Sequence, residues 1–381
     1  MNSLSILGMG LVSSVGYDAL TCTSSVRAGL TRFRPLDDVV TYDPDELEAP
    51  VIGAPAHLLT SGFVQNAAWL RMVEQAMKDL IQSAKLPAQD PTFWQNTPVI
   101  WILPEITHWR FGWPELEVVS ILQQHCVATL SKTLGVSIQT PDHGLITQGA
   151  TGLYSALGNL LKTDHAESST GVILISVDSL LDPLCLKQLS DYGRLLDDEN
   201  SASLIPGEAA SCLYLDFQAN GQGGHAPVNI ISTDTRKVEL RSSSTDDAED
   251  RDSPAVQHLE DNASELGQAL ALSIKDTLSV LTDTSFIGDI YIDLNGERWK
   301  SLVWGFAQTH LQGLSNIKLD HCNVQVPATS WGDIGAASSA ASLCLANASF
   351  LRGYARGTMA LVCSINESGT VGSALVIKGE E

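Results

Sequence analysis

Cationic residues are scarce in this chain. Its 381 residues carry 22 Lys and Arg against 44 Asp and Glu, a formal net charge of −22 at pH 7. Nucleic-acid binding depends on clustered Lys and Arg at the phosphates, so that class of partner is not expected, and an anionic membrane surface is disfavoured for the same reason. No apolar run reaches the ~20 residues of a spanning helix, and the Met1–Gly16 segment has no Lys or Arg ahead of its apolar stretch, unlike a secretory signal. Several catalytic signatures are also missing. There is no Cys-x-x-Cys, Gly-x-Ser-x-Gly, His-Glu-x-x-His or Walker A pattern, and the nine histidines are dispersed. Neither metal nor cofactor is expected. Seven cysteines, an odd number lying mostly in apolar runs, behave as small hydrophobes and fit a reducing, cytoplasmic setting. The length suits one large or two medium domains.

Short β-branched apolar runs alternate with longer helical patterns, the signature of a layered α/β domain. Strands are predicted at Val99–Leu103, Val172–Val177, Ala210–Leu215, Ile287–Asp293, Met359–Ser364 and Val371–Ile377. Val172–Ile175 is apolar on both faces, as a strand covered by helices on both sides requires. Helical spacing runs over Phe63–Ala84, Leu116–Leu134, Leu153–Leu161, Leu266–Leu281 and Ala336–Leu351. A Gly-rich link at Gln218–His225 divides the chain into 1–225 and 226–381. The polar stretch 242–253, whose acidic residues fall at 246–252, reads as a solvated surface loop. The halves share a rhythm: Gly149-Ala150, a helix, a strand ending at Asp178 and then Gly207-Glu208, against Gly335-Ala336, a helix, a strand ending at Ile365 and then Gly369. Gly8-Met9-Gly10 invites a dinucleotide-binding reading, but Ser13 holds the third glycine place and no acidic residue closes the next strand.

Four stretches stand out in order: Ile6 to Gly16 running on to Leu30, Gly149 to Leu157, Ile205 to Ala210, and Trp331 to Ala337. Together they resemble the β-ketoacyl synthases of the thiolase superfamily over nearly the whole chain. That resemblance implies a five-layered α/β/α/β/α fold of two duplicated halves, usually assembled as a dimer. It also implies a cysteine nucleophile at a helix N-terminus and two polar partners, commonly histidines, that stabilise an enolate.

This sequence departs from the family at those positions. The nucleophile register places Gly149 where the cysteine belongs, with Gln148 one residue earlier. Asn295 matches the first histidine, Gly332 the second, and a one-residue shift would put Asp333 there instead. Pro327 matches the lysine often found shortly before, and Glu208 is expected to bridge inside the fold. Acyl carrier proteins are acidic, so docking one calls for a basic patch. Arg236, Lys237 and Arg241, with Glu239 among them, are the only short basic group.

The expectation is therefore a catalytically degenerate ketosynthase-like protein, in homo- or heterodimeric form, that binds another protein. An adaptor or chaperone for a basic effector of bacterial type VI secretion leads. A chain-length-factor-like subunit of a ketosynthase heterodimer is the first alternative, since such subunits commonly replace the cysteine with Gln. A residual acyl-thioester decarboxylase or acyltransferase using Asn295, and an acyl-ligand sensor, are the others. Trp101, Trp109, Trp113 and Phe111 are assigned to packing.

Overall fold

A computed structural model describes residues 3–42, 48–111, 115–162, 171–197, 200–217, 228–241, 255–282, 284–313 and 317–379. The Gln218–His225 link, the acidic stretch 242–253 and Trp113 lie outside the described residues.

The strands are β1 (Leu4–Ser13), β2 (Arg34–Tyr42), β3 (Glu48–Gly53), β4 (Val99–Ile102), β5 (Leu145–Ile146), β6 (Val172–Ser179), β7 (Glu208–Asp216), β8 (Val228–Lys237), β9 (Gly288–Ile292), β10 (Asn323–Gln325), β11 (Met359–Ile365) and β12 (Thr370–Lys378). β2 and β3 pair with each other, and the other ten form one sheet in the order β10-β9-β11-β12-β8-β1-β7-β6-β4-β5. That order is a palindrome about the β8–β1 junction, where only Leu4, Ser5 and Ile6 meet Ile230, Asn229 and Val228. Outward from β1, the pairings with β7, β6, β4 and β5 run antiparallel, antiparallel, parallel, parallel. Outward from β8, the pairings with β12, β11, β9 and β10 repeat the sequence. The duplication heard as a rhythm in the sequence is thus a repeat of sheet topology.

Each half-sheet buries both faces, which is why its strands read as continuous apolar runs. In β6, Val172 and Leu174 join the central core while Ile173, Ile175 and Val177 pack outward under the Gln65–Ser83 helix. In β11, Ala360 and Val362 face the centre, and Leu361, Cys363 and Ile365 face the Ala263–Thr277 and Arg298–Leu311 helices. The central layer is the Gly152–Lys162 and Ser338–Leu351 pair, so helices and half-sheets alternate through five layers. Ser338–Leu351 is buried almost all round, which explains its run of Ala and Ser: only small side chains fit between two sheets.

Three sequence expectations change in detail. The stretch Leu116–Leu134 is not one regular helix, because a π-helical turn at Leu122–Cys126 separates Glu115–Ile121 from Val127–Leu134. Gly8 and Gly10 lie within β1 and cradle no phosphate. A Cβ on Gly10 would stand 1.9 Å from the Ala76 carbonyl oxygen, so glycine is needed there for helix-on-strand contact. The short basic group is neutralised: Arg236 pairs with Asp234 and Asp276, and Arg241 with Glu265. Trp101 is buried and Phe111 packs edge-on against Trp69, as expected of packing residues.

Candidate functional site

Two turns, one in each half, lead from an edge strand into a central helix. After β5 the chain reaches Gly149 at φ +57°, makes a 3-10 turn over Gly149–Thr151 and enters the Gly152–Lys162 helix. After β10 it reaches Gly335 at φ +51°, makes a 3-10 turn over Gly335–Ala337 and enters the Ser338–Leu351 helix. The preceding residues match as closely, Gln148 at φ −117°, ψ 21° and Ile334 at φ −107°, ψ 19°. Both glycines adopt the left-handed region that other residues avoid. Neither has room for a side chain. A Cβ on Gly149 would lie 2.9 Å from the Asn366 amide, and one on Gly335 2.1 Å from Asp178 Oδ2.

Against these turns lies a cavity of about 400 Å³, lined from both halves. Glu105, Asp178, Asp293, Asp333 and Glu367 bring carboxylates to it, against Arg110, Arg194 and Lys300. The cations are already paired. Arg110 grips Asp178, which also accepts the Ala336 N–H at 2.9 Å in the 3-10 turn that leads into the second central helix. Arg194 reaches Glu297 through two hydrogen bonds of 2.7 and 2.9 Å and Glu367 at 2.6 Å. Lys300 donates to the Asp293 carboxylate at 3.1 Å. Among the described residues Asp333 makes no ion pair; it accepts from Asn295 Nδ2 at 2.6 Å and from the Gly335 N–H at 2.8 Å. The cavity therefore carries surplus negative charge, which disfavours an anionic occupant such as a malonyl carboxylate.

Burial and charge compete at each of these groups. Burial pushes the Asp293 carboxyl up, and Lys300 only partly pulls it back. Burial disfavours the Lys300 ammonium, but Asp293, Asp333 and Glu297 outweigh it and hold the amine above its ordinary range. Cys185 is the one cysteine on the cavity wall, and burial pushes its thiol up to about 12. Burial likewise raises the other six thiols, so none is poised as a thiolate nucleophile.

The residues singled out in the sequence scatter around this centre. Gly149 and Asp333 line the cavity. Asn295 touches Asp333, and its amide is fully used: Nδ2 also donates to Glu297 at 2.9 Å, and Oδ1 accepts the Glu297 N–H at 3.1 Å. Gly332 has φ +73° and a Cβ there would meet the Ile205 carbonyl oxygen at 2.5 Å, so it is a close-approach point between the halves. Gln148 is exposed and accepts from Ser155 Oγ at 2.6 Å, outside the cavity lining. Glu208 bridges as expected, accepting the Ala56 N–H at 2.8 Å, Ser179 Oγ at 2.8 Å and the Thr60 hydroxyl. Sequence reasoning missed Arg110, Asp178, Arg194, Glu297, Lys300 and Glu367. One signal was present: Asp293, Glu297 and Lys300 follow directly on a fully buried strand, where charges must find partners.

No protein-family model and no curated protein matches the chain. Solved structures do. The oxazolomycin ketosynthase domain OzmH KS7 of Streptomyces albus JA3453 superposes with a TM-score of 0.73 at 11% identity, over 100% of this chain and 74% of that one. The chain has the ketosynthase fold. Another similar structure, the type II polyketide AntDE:AntF complex of an acyl-carrier protein with its ketosynthase bound to the hexaketide, gives a TM-score of 0.69 at 13% identity, over 100% of both chains. The ishigamide ketosynthase/chain length factor gives 0.63 at 15%, over 99% of this chain and 100% of that one. At these identities the likeness is one of thiolase-like architecture. Among the described residues no helix is long and apolar enough to cross a membrane.

Proposed function

We propose that this protein is a non-condensing form of the ketosynthase fold that works by binding another protein. The observation that carries the reading is Gly149: it stands at the nucleophile's place in the family register, it has no side chain, and Asn366 fills the space one would take. Further features support it. The Gly149 N–H is donated to the Leu103 carbonyl at 3.0 Å and is not free to hold an oxyanion. Asn295 has no unspent donor for an enolate, and the nearest charge is the Asp333 carboxylate. Both points count against a residual decarboxylase.

The charge of −22 favours a basic partner. We assign the protein as a cytoplasmic adaptor or chaperone for a basic effector, of the type VI secretion kind. A second reading, a subunit paired with an active ketosynthase, is favoured by the similarity to the ishigamide ketosynthase/chain length factor. Affinity purification of the full chain from its native host, with mass spectrometry of what co-purifies, tests both. A basic secreted protein or secretion-spike component is the expected result. A cysteine-bearing ketosynthase in equal amount replaces the adaptor with the heterodimer, and recovery of this chain alone overturns protein binding.

A further inference from the structure

The second large cavity, about 470 Å³, opens between β9, β10 and the Ala19–Arg27 helix, on the face of β9 that carries Tyr291 toward the central helices. Its chemistry is the reverse of the first. Arg27 and Arg356 line it, while Arg352, outside the lining, donates to Ser24 Oγ on the Ala19–Arg27 helix at 2.9 Å. In a chain with twice as many acids as bases, none of these three guanidiniums has an ion-pair partner among the described residues. The Arg27 guanidinium carbon sits 4.1 Å from the centre of the Tyr354 ring, a cation–π contact that takes up none of its N–H donors. Arg356 is held through Nε, 2.6 Å from the His321 carbonyl oxygen, so its two terminal nitrogens remain. Burial raises the Tyr354 hydroxyl, while Arg352 and Arg27 pull it back.

The one carboxylate on the wall, Asp289, is occupied. It accepts Asn323 Nδ2 at 3.0 Å and the Arg356 N–H at 2.9 Å. Two lining guanidiniums against one carboxylate already taken up by hydrogen bonds leave a positive surplus that suits an anion able to take several N–H donors at once. Deeper in, Val26, Leu345 and Tyr291 offer an apolar floor, and a volume of this size accommodates a small organic molecule. Arg27 and Arg352 also sit at helix C-terminal ends, where they offset the carbonyl dipoles. Arg356 has no such duty, and dipole compensation does not explain a cavity.

We propose that this cavity binds a phosphate monoester, its phosphate on Arg27 and Arg356 and its body against Tyr291, Val26 and Leu345. The site is separate from the ion-paired cavity at Gly149, and its occupancy does not depend on the function assigned to that cavity.

Arginine modification of the intact wild-type chain by phenylglyoxal, read by peptide mass spectrometry, tests it. Inorganic phosphate is the probe, with acetate and chloride at matched ionic strength. Phosphate is expected to slow modification of Arg27 and Arg356 saturably, roughly tenfold at about ten times its dissociation constant. Arg298, exposed on an outer helix, is expected to react unchanged. Equal protection by acetate, or no protection up to about 50 mM phosphate, overturns the proposal. The Arg27→Gln/Arg356→Gln variant provides a second readout. Its thermal midpoint is expected to lose the saturable rise with phosphate seen in the wild type. An undiminished rise overturns the assignment, and a variant that does not fold leaves the decision to the wild-type protection experiment.

Discussion

Replacing Arg194 by methionine removes one cation from the centre of the ion-paired cavity. Arg194 and Glu297 are both buried, with side chains 4% and 2% exposed, and their paired hydrogen bonds leave Glu297 dependent on that guanidinium. Glu297 would keep Asn295 Nδ2 at 2.9 Å and Trp299 Nε1 at 3.0 Å, which soften the loss without supplying a charge. Breaking a buried pair from one side costs about 3–5 kcal/mol. Glu367 adds little, because its side chain is 41% exposed and water screens it. The pH dependence has a definite sign. Partial burial pushes Glu367 up but Arg194 outweighs it, so its carboxyl ends below the ordinary range. Its contribution in the wild type is complete above the unfolded value and lost as pH falls through the depressed one. In Arg194→Met that cation is gone, the Glu367 carboxyl is no longer held down, and the penalty is expected to shrink as pH falls. Denaturant unfolding followed by tryptophan fluorescence at pH 7.5 and 5.0 measures both effects. Adding Glu297→Gln to Arg194→Met should recover most of the loss at neutral pH. A penalty under about 1 kcal/mol at pH 7.5, or one that grows toward pH 5, refutes the reasoning.

Gly149→Ala should destabilise by about 2–4 kcal/mol, combining the left-handed backbone with the clash against Asn366. Joining it to Asn366→Ala should return only the clash component in the same unfolding assay. Gly10→Ala, whose Cβ would enter the Ala76 carbonyl, should abolish soluble expression, whereas Gly29→Ala, at φ +66° in open space, should cost only ~1 kcal/mol. Alkylation of the native chain with iodoacetamide at pH 7.5 should label Cys322 alone, because the other six cysteines are buried. Rapid labelling of Cys185, read by peptide mass spectrometry, would show that its thiol is not held up by burial.

Much of the layered fold was legible in the sequence because burial on both faces leaves an unmistakable mark. Val172–Ile175 and Ala360–Val362 are apolar in every position, and Ala336–Leu351 is mostly Ala and Ser with a few larger apolar residues and no charge. β1 was harder to read, since its glycines at 8 and 10 answer to the Ala76–Ala84 helix turns pressed on them and not to strand propensity. β5 and β10 are only two and three residues long, too short to leave a periodicity. The cavity turns at Gly149 and Trp331–Ala337 were recognisable as motifs. Their charged lining was not, because Arg110, Arg194 and Glu367 come from separate segments that only the duplicated topology brings together. Arg27, Arg352 and Arg356 escaped for the same reason: the basic group visible in the sequence, around Arg236, is neutralised, and the unpaired one is assembled across more than three hundred positions of chain.

The claim that this ketosynthase fold performs no condensing chemistry is tested most directly by incubating the wild-type chain with malonyl and acyl thioesters of coenzyme A and of a carrier protein. Intact mass and carbon dioxide release are then followed. The account predicts an unmodified mass and no release above the uncatalysed background, with the chain still folded by circular dichroism. A stable acyl adduct, or decarboxylation abolished by Asn295→Ala, would contradict it.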